Sequence, residues 1–279
     1  MRRDNSSLYT QDPDEINRLL PPHVRAESLL GDGGQGLVFK GHVNGLPAAI
    51  KLYVTDQIET RIEREVNALV RLNCRSIARL LWSGDIVLVG EKVRIVATSF
   101  VPGRPLSEVL KQRKLSDDDV CAMAYDVAAA IHHMWELRVV HRDLKPSNLI
   151  VEPSGRVSVI DLGIARHVSQ SSITGTGMTW GTTGYLSPEQ MRGTKQLTCK
   201  SDVFALGIVM LEARLGRHPT QRDQVGLMSS RYHEFLPGSI GKSSYADLLK
   251  SLLQPRPTAR PVPAAIMQSL ASHARDGGK

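Results

Sequence analysis

Residues 141–148 read His-Arg-Asp-Leu-Lys-Pro-Ser-Asn, a polar and charged run that lies between two apolar segments. Burying a carboxylate, an ammonium group and a carboxamide beside apolar strands costs free energy unless these groups meet a ligand. Asp143 can accept a proton from a hydroxyl, and Lys145 can hold a negatively charged oxygen. Asn148 can offer its amide oxygen to a hard cation such as Mg²⁺. We therefore take these eight residues, called the central run below, as the candidate centre of an active site.

The composition excludes several classes of protein. The chain has 279 residues, of which 41% are hydrophobic and 23% charged, as in ordinary globular proteins. Its three cysteines are too few and too scattered for a disulfide framework or a zinc site, which favours a reducing compartment. No apolar stretch has the length of a membrane span and the N-terminal residues lack the apolar core of a signal peptide, so we expect a soluble, cytoplasmic protein. The net charge is +7, but the basic residues are spread out and not interleaved with aromatic residues, so we expect no nucleic-acid binding.

A glycine-rich stretch at 31–36, Gly-Asp-Gly-Gly-Gln-Gly, follows a predicted strand. Glycines at the tip of a strand–loop–strand unit let backbone N–H groups approach phosphates that a side chain would block. A dinucleotide-binding glycine loop must instead open a helix. Here residues 37–39 continue as a strand, Asn44-Gly45 predicts a hairpin turn and 46–54 returns as a third strand, which excludes the dinucleotide-binding alternative. A plain glycine hairpin remains an alternative at this point.

Lys51 lies between two large apolar residues on the third predicted strand, where an ammonium group needs an anionic partner. A helix predicted over residues 56–72 offers two glutamates. At about 100° per residue, Glu65 falls within the apolar stripe of this helix, whereas Glu63 points away from it. We choose Glu65 as the partner of Lys51; an amphipathic helix with an unrelated acid is the alternative.

A strand predicted at 157–160 is followed at once by Asp161-Leu162-Gly163. An isolated Asp-x-Gly is a common turn, but this one comes 18 residues after Asp143 and directly after a β-branched strand. Residues 164–180 are rich in Ser, Thr and Gly, which is the composition of a mobile loop.

Two helices are predicted in the second half of the chain. One begins at Ser116, which we expect to cap it together with Asp119. The other contains residues 203–211, which are apolar almost all round, and it should therefore be buried. We expect Ser201 and Asp202 to cap this second helix; alternatively, Asp202 accepts backbone N–H groups of the central run.

Together these motifs resemble the protein kinases, and most of all the bacterial, eukaryotic-like Ser/Thr kinases. His-Arg-Asp-Leu-x-x-x-Asn is similar to the kinase catalytic loop. Residues 161–163 resemble the kinase Asp-Phe-Gly, with a leucine that keeps the apolar plug but is smaller. Residues 181–189 resemble the end of a kinase activation segment, with Ser-Pro-Glu for Ala-Pro-Glu, and 257–261 resemble the C-terminal motif whose arginine pairs with that glutamate. The resemblance runs from about residue 25 to residue 270.

The resemblance implies an α+β, two-lobed protein kinase fold, with a small β-rich N-lobe that carries one helix and a larger, mainly helical C-lobe. We expect an N-terminal extension at 1–24, the N-lobe at 25–101, the C-lobe at 102–270 and a C-terminal tail at 271–279. The extension is polar and has no clear period, so that it either packs against the body of the protein or stays mobile.

The resemblance also implies roles for residues that match the kinase motifs. The catalytic residues would be Asp143, Lys145, Lys51, Glu65 and Thr182. The ATP site would comprise Gly31, Asp32, Gly33, Gly34, Gln35, Gly36, Val38, Ala49, Lys51, Thr98, Ser99, Val101 and Ile150. The metal ligands would be Asn148 and Asp161, and the phosphorylated residues Thr174 and Thr176. The structural residues would be Arg142, Glu189, Asp202 and Arg260.

The implied activity is transfer of the γ-phosphoryl group of ATP to Ser/Thr hydroxyls of a protein substrate, with Mg²⁺ or Mn²⁺ as the metal. Autophosphorylation of the activation segment, in trans within a dimer, is implied as well. Lys145 and Thr182 resemble the residues that Ser/Thr kinases, rather than Tyr kinases, carry at the matching positions of these motifs. A pseudokinase would be expected to lack Lys51, Asp143 or Asp161. A small-molecule kinase of the aminoglycoside type should lack the Gly-Thr to Pro-Glu segment and Arg260.

Overall fold

The structure, a computed structural model, describes residues 11–33, 36–54, 63, 66–67, 69–88, 90–161, 184–219 and 240–274. The chain divides into two compact units. The small unit consists of the residues up to Asn73 together with Ala78–Val101. The large unit consists of Cys74–Ile77 together with the residues from Pro102 onward.

The small unit contains a five-stranded antiparallel sheet with the strand order β1-β2-β3-β5-β4. Its strands are β1 (Val24–Gly33), β2 (Gly36–Val43), β3 (Leu46–Val54), β4 (Leu80–Leu88) and β5 (Glu91–Ser99). The predicted hairpin between β2 and β3 is confirmed: Asn44 and Gly45 both have positive φ, 50° and 78°, as a tight hairpin turn requires. Part of the predicted helix is also present, because residues 63, 66–67 and 69–71 are helical.

Gly36, at the start of β2, has a φ of 122°. A Cβ atom placed on this residue would lie 1.9 Å from the backbone oxygen of Leu52 on β3. Any side chain here would therefore separate β2 from β3 or distort the turn. The last glycine of the glycine-rich stretch is thus required by the close approach of two strands.

Residues of the N-terminal extension pack against the sheet through a short helix, α1 (Pro13–Asn17). Asp12 caps α1 by accepting the N–H of Asp14 at 2.9 Å. Ile16 is fully buried and Leu20 is buried, and both belong to the hydrophobic core of the small unit. The Asn17 amide donates to the oxygen of Ala26 and accepts its N–H, both at 2.8 Å, on the edge strand β1. The sequence left open whether the N-terminal extension packs against the body of the protein or stays mobile. Its described residues pack against the body.

The large unit is mainly helical. Its helices are α2 (Leu106–Gln112), α3 (Asp117–Glu136), α4 (Pro188–Met191), α5 (Cys199–Leu215), α6 (Ala246–Leu252) and α7 (Pro263–Ser269). A small antiparallel sheet consists of β6 (Arg104–Pro105), β7 (Leu149–Val151) and β8 (Val157–Val159). A sheet-based unit and a helical unit make the α+β class that the sequence predicted. Within the described part of the chain, no helix has both the length and the apolar character needed to span a bilayer.

The two helices predicted in this unit are present, but one prediction about their caps is wrong. The Ser116 hydroxyl caps α3 by accepting the N–H of Asp119 at 3.1 Å. Helix α5 begins earlier than expected, and its cap is Thr198, whose hydroxyl accepts the N–H of Lys200 at 3.3 Å. Ser201 and Asp202 therefore lie inside the first turn, where their side chains bind other parts of the unit. The apolar residues 203–211 are buried, as predicted.

The packing of α1 leads to a test of stability. We expect Ile16→Ala to lower the free energy of unfolding of the small unit by about 2–5 kcal/mol, because it leaves a cavity in a closed core. Leu19→Ala is the matched control, since Leu19 is 40% exposed and its truncation leaves no cavity. Amide hydrogen exchange of β1 and β2 in increasing urea measures both effects. Equal protection in the two variants would contradict the docking of α1.

Candidate active site

The central run is anchored to α5 by the buried carboxylate of Asp202. Its Oδ2 accepts the N–H of His141 and its Oδ1 accepts the N–H of Arg142, each at 2.8 Å. Arg142 has a left-handed backbone with a φ of 68°. Burial raises the pKa of the Asp202 carboxyl, while the two backbone N–H groups that donate to it act in the opposite direction. Asp202 therefore accepts backbone N–H groups of the central run, and it does not cap α5.

The imidazole of His141 supports the same loop from inside. The ring is fully buried. Its Nδ1 accepts the N–H of Asp143 at 3.3 Å, and its Nε2 lies 3.4 Å from the backbone oxygen of Ile160. A neutral imidazole with its proton on Nε2 satisfies both contacts. Sequence reasoning did not single out His141, although its place at the start of the central run was the available signal.

The structure brings Asp143, Lys145 and Asn148 together. Lys145 Nζ lies 2.9 Å from Asp143 Oδ2. Asn148 Nδ2 donates to the backbone oxygen of Asp143 at 2.9 Å and lies 3.4 Å from its Oδ2. The Asp143 side chain is only 3% exposed and that of Lys145 only 18%. A carboxylate held in this way can orient a hydroxyl and accept its proton, and the ammonium group can stabilise negative charge beside it.

Asn148 and Asp161 are suitable ligands for a hard cation. Ile160 donates its N–H to the backbone oxygen of Asn148 at 2.9 Å, so Asp161 follows directly after a residue bound to Asn148. Because Asn148 Nδ2 is committed to Asp143, the oxygen Oδ1 is the atom that this amide can offer. In the described residues no three His, Cys, Asp or Glu side chains form a metal cluster. Two protein oxygens suit Mg²⁺, which usually keeps several waters and substrate phosphates as ligands.

A second network, built on Glu189 of α4, joins distant parts of the large unit. Arg260 binds Glu189 through two parallel contacts, Nη1 to Oε1 at 2.7 Å and Nη2 to Oε2 at 2.9 Å. Ser201 of α5 donates its hydroxyl to Glu189 Oε1 at 2.7 Å. Arg260 also donates to three backbone oxygens, those of Lys200, Gln254 and Pro255. Burial alone would raise the pKa of the Glu189 carboxyl, but Arg260 and Ser201 outweigh it and hold this pKa below its usual range.

Helix α4 connects this network to the central run. Ser187 and Gln190 form a reciprocal capping box at the start of α4. The Gln190 amide also donates to the backbone oxygen of Arg142 at 3.0 Å. The sequence offered no signal for a role of Gln190 and predicted Ser201 only as a cap of α5, because neither residue type in these positions indicates a partner so far along the chain.

In the small unit, strand register places four residues of the predicted ATP site on one face of the sheet. Lys51 of β3 pairs with Val38 of β2, and Ala49 of β3 pairs with Thr98 of β5. Side chains two residues apart on a strand share a face, so Ala49 and Lys51 point to the same side. The alternate residues of these strands form the hydrophobic core, on the opposite face. The ammonium group of Lys51 lies 4.8 Å from the centre of the Tyr53 ring.

The remaining predicted residues are placed as follows. Ser99 ends β5, Val101 is the last residue of the small unit, and Ile150 lies on β7, paired with Pro105 and Ser158. Glu63, the glutamate that was not chosen, is exposed. Gly31, Asp32 and Gly33 belong to the end of β1. Six predicted site residues lie outside the described part of the chain: Gly34, Gln35, Glu65, Thr174, Thr176 and Thr182.

Comparison with known proteins shows the family to which the chain belongs. Residues 24–271 match the model of the protein kinase domain family, and the chain belongs to this family. The chain is 30% identical to a probable serine/threonine-protein kinase, PknB, of Lactococcus lactis. The alignment of 236 residues covers 81% of this chain and 37% of PknB. The chain is also 32% identical to the serine/threonine-protein kinase AfsK of Streptomyces coelicolor. That alignment of 259 residues covers 88% of this chain and 31% of AfsK. For the serine/threonine-protein kinase PknA of Mycobacterium tuberculosis the identity is 32% over 213 residues, covering 73% and 49%. The chain therefore spans less than half the length of these relatives.

The Glu189–Arg260 pair leads to a prediction about pH. The pKa of Glu189 is lowered on folding, so the stability that it contributes is present above its unfolded pKa of about 4.3 and is lost as the pH falls through the folded value. We expect Glu189→Gln to unfold more easily at neutral pH and to show a flatter loss of stability in acid. Glu108→Gln, at a half-exposed position, is the control. Denaturation followed by circular dichroism from pH 7 to pH 3 measures the slopes, and an unchanged slope in Glu189→Gln would contradict the assignment.

Proposed function

We propose that this chain is an ATP-dependent protein serine/threonine kinase, which transfers the γ-phosphoryl group of ATP to Ser/Thr hydroxyls of a protein substrate. The observation that carries the proposal is the Asp143 carboxylate, which lies within hydrogen-bonding distance of Lys145 and of the Asn148 amide. Membership of the protein kinase domain family and similarity to bacterial proteins named serine/threonine kinases support it.

In the proposed reaction, Asp143 orients the substrate hydroxyl and accepts its proton, a role worth about 10²–10⁴ in rate. Lys145, next to the same carboxylate oxygen, holds the transferring phosphoryl group and limits the repulsion between its oxygens and Asp143. The carboxylate remains positioned because the backbone on its N-terminal side is bound to Asp202. In this scheme the protein contributes mainly positioning and electrostatic stabilisation.

ATP is the proposed phosphoryl donor. We assign the backbone amides of the glycine-rich stretch and Lys51 to the phosphates, and the sheet face that carries Val38, Ala49 and Thr98 to the adenine. We assign backbone groups of Ser99 and Val101 to the adenine edge. We assign the side chain of Ile150 to the apolar face of the adenine ring.

A divalent metal is part of the proposal; it is Mg²⁺, with Mn²⁺ as the alternative, since hard oxygen donors suit both ions. Asn148 and Asp161 would hold it. When bound, such an ion neutralises charge on the phosphate oxygens.

We also propose regulation by autophosphorylation of Thr174 or Thr176, in trans within a dimer. Arg142, beside the catalytic aspartate, is the proposed partner of the phosphate.

The proposed location is the cytoplasm. All three cysteines are free thiols, which suits a reducing compartment.

The role of Asp143 can be tested directly. Asp143→Asn should lower the rate of phosphate transfer by about 10²–10⁴, because the amide cannot accept the proton, while ATP affinity changes little. Asp247→Asn, at an exposed position on α6, should leave both unchanged. Radiolabel transfer from ATP to generic Ser/Thr and Tyr substrates measures the rate, and nucleotide titration measures the affinity. Full activity in Asp143→Asn would rule out its role as the base.

The proposed autophosphorylation has its own test. Incubation of the purified chain with ATP and Mg²⁺ should place phosphate on Thr174 or Thr176, because these hydroxyls lie in a Ser/Thr/Gly-rich segment typical of kinase activation loops. Mass spectrometry of peptides covering 161–189 locates the phosphate. The double variant Thr174→Ala/Thr176→Ala should lose this label, whereas Thr194→Ala should keep it. A phosphate-free segment in an otherwise active protein would remove the idea of autoactivation.

A further inference from the structure

The side chain of Lys51 lies against an aromatic ring two residues further along β3. Its Nζ is 4.8 Å from the centre of the Tyr53 ring. An ammonium group within about 6 Å of an aromatic centroid is attracted by the negative face of the ring. A lysine carries its charge on a flexible four-carbon stem, which can place the ammonium group at many positions. The contact with Tyr53 therefore restricts where this charge lies.

Tyr53 is buried on the face of the sheet that carries Lys51. Ile50 and Leu52, which alternate with these two residues on β3, belong to the hydrophobic core of the small unit. Lys51 and Tyr53 therefore point to the other face of the sheet. The Tyr53 side chain is buried, with only 3% exposed, whereas Lys51 is half-buried. Because close packing restricts a buried ring, Tyr53 is a fixed support for the more flexible lysine.

Tyr53 lies at the end of the sheet where the glycine-rich stretch turns. A Cβ atom placed on Gly36 would lie 1.9 Å from the backbone oxygen of Leu52 and 3.8 Å from the Cα atom of Tyr53. Ala49, on the proposed adenine face, lies in the opposite direction along β3 from Lys51. Attraction to Tyr53 therefore directs the ammonium group of Lys51 toward the end of the sheet that is assigned to the phosphates.

A second cation on this face, Arg94 of β5, is engaged with a carboxylate. Arg94 pairs with Tyr53 across the two strands, and directly opposite residues point to the same side of a sheet. Its Nη2 donates to Asp85 Oδ2 at 3.1 Å, and its Nε also donates to this carboxylate. Burial alone would raise the pKa of Asp85, but Arg94 and Lys92 outweigh it and hold this pKa below its usual range. The ionised carboxylate balances the charge of Arg94, which therefore repels Lys51 less and competes less for the ring.

We propose that Tyr53 is a positioning residue for Lys51, whose ring holds the ammonium group beside the glycine-rich stretch, where it meets the phosphates of the bound nucleotide. This inference rests on the proposed function, because it deepens the role assigned there to Lys51. The attraction needs the face of an aromatic ring and not the phenol hydroxyl. It also acts on the phosphates of the nucleotide and leaves the binding of its adenosine part unchanged.

The test measures the affinity of the full chain for ATP with Mg²⁺ and for adenosine, both by calorimetric titration. Tyr53→Leu should weaken ATP binding by about 2- to 30-fold, the range expected for the loss of one contact between a cation and a ring. Its affinity for adenosine should stay the same, because adenosine carries no phosphate. Tyr53→Phe should retain the ATP affinity, since the phenyl ring presents the same face. A merely structural role of Tyr53 would weaken the binding of both ligands together.

A double-mutant cycle tests whether the effect of Tyr53 passes through Lys51. In the Lys51→Met background the ring has no ammonium group to hold, so adding Tyr53→Leu should cause no further loss of ATP affinity. If complete loss of adenosine binding shows that Tyr53→Leu does not fold, Tyr53→Met takes its place, because its longer apolar side chain fills more of the space of the ring. The expected results are the same for both variants.

The outcomes distinguish this inference from the proposed function. Unchanged ATP affinity in Tyr53→Leu, equal partial losses for ATP and adenosine, the same loss in Tyr53→Phe, or an additive loss in the Lys51→Met background would each overturn the inference and leave the kinase activity standing. If the wild-type chain neither binds ATP nor transfers phosphate to generic Ser/Thr substrates, the proposed function fails, and the inference fails with it.

Discussion

The large unit depends on a buried carboxylate that holds two backbone N–H groups. Asp202 binds the amides of His141 and Arg142, which belong to a segment far from it in the chain. Left unpaired, these buried donors would each cost about 1–3 kcal/mol. Satisfying them from a helix whose residues 201–211 are all buried ties the loop to the core of the large unit. The left-handed turn at Arg142 is thereby held where the next residue, Asp143, faces Lys145.

Two networks meet at the backbone of Arg142. Its N–H is bound by Asp202, and its carbonyl oxygen is bound by Gln190 of α4. Helix α4 also carries Glu189, which Arg260 holds in a bidentate pair and which Ser201 of α5 supports. Helix α5 thus contributes to both networks through residues in its first turn. A displacement of α4 or of the segment around Arg260 would therefore be transmitted to the residue before the proposed base.

The small unit obeys a different constraint, which is sheet register. Because side chains alternate between two faces, one register places the apolar residues in the core and Lys51, Ala49, Val38 and Thr98 on the other face. A shift by one residue would move the ammonium group of Lys51 into the core. The N-terminal segment secures β1 at the edge of this sheet, with Ile16 in the core and Asn17 bound to Ala26.

The sequence by itself determined the local features: the hairpin at Asn44-Gly45, the cap at Ser116, the buried stretch 203–211 and the composition of the central run. These follow from interactions between residues close in the chain, which spacing and residue type reveal. Only the tertiary structure decided between the two alternatives for Asp202, a helix cap or an acceptor of N–H groups of the central run. It alone also revealed the contributions of His141 and Gln190. Their partners lie on other elements of the chain, and a hydrogen bond between distant segments leaves no periodic signal in the sequence. The packing of α1 is a tertiary feature for the same reason. Ile16 is buried by core residues that come from the strands of the small unit, and these are distant from it in the chain.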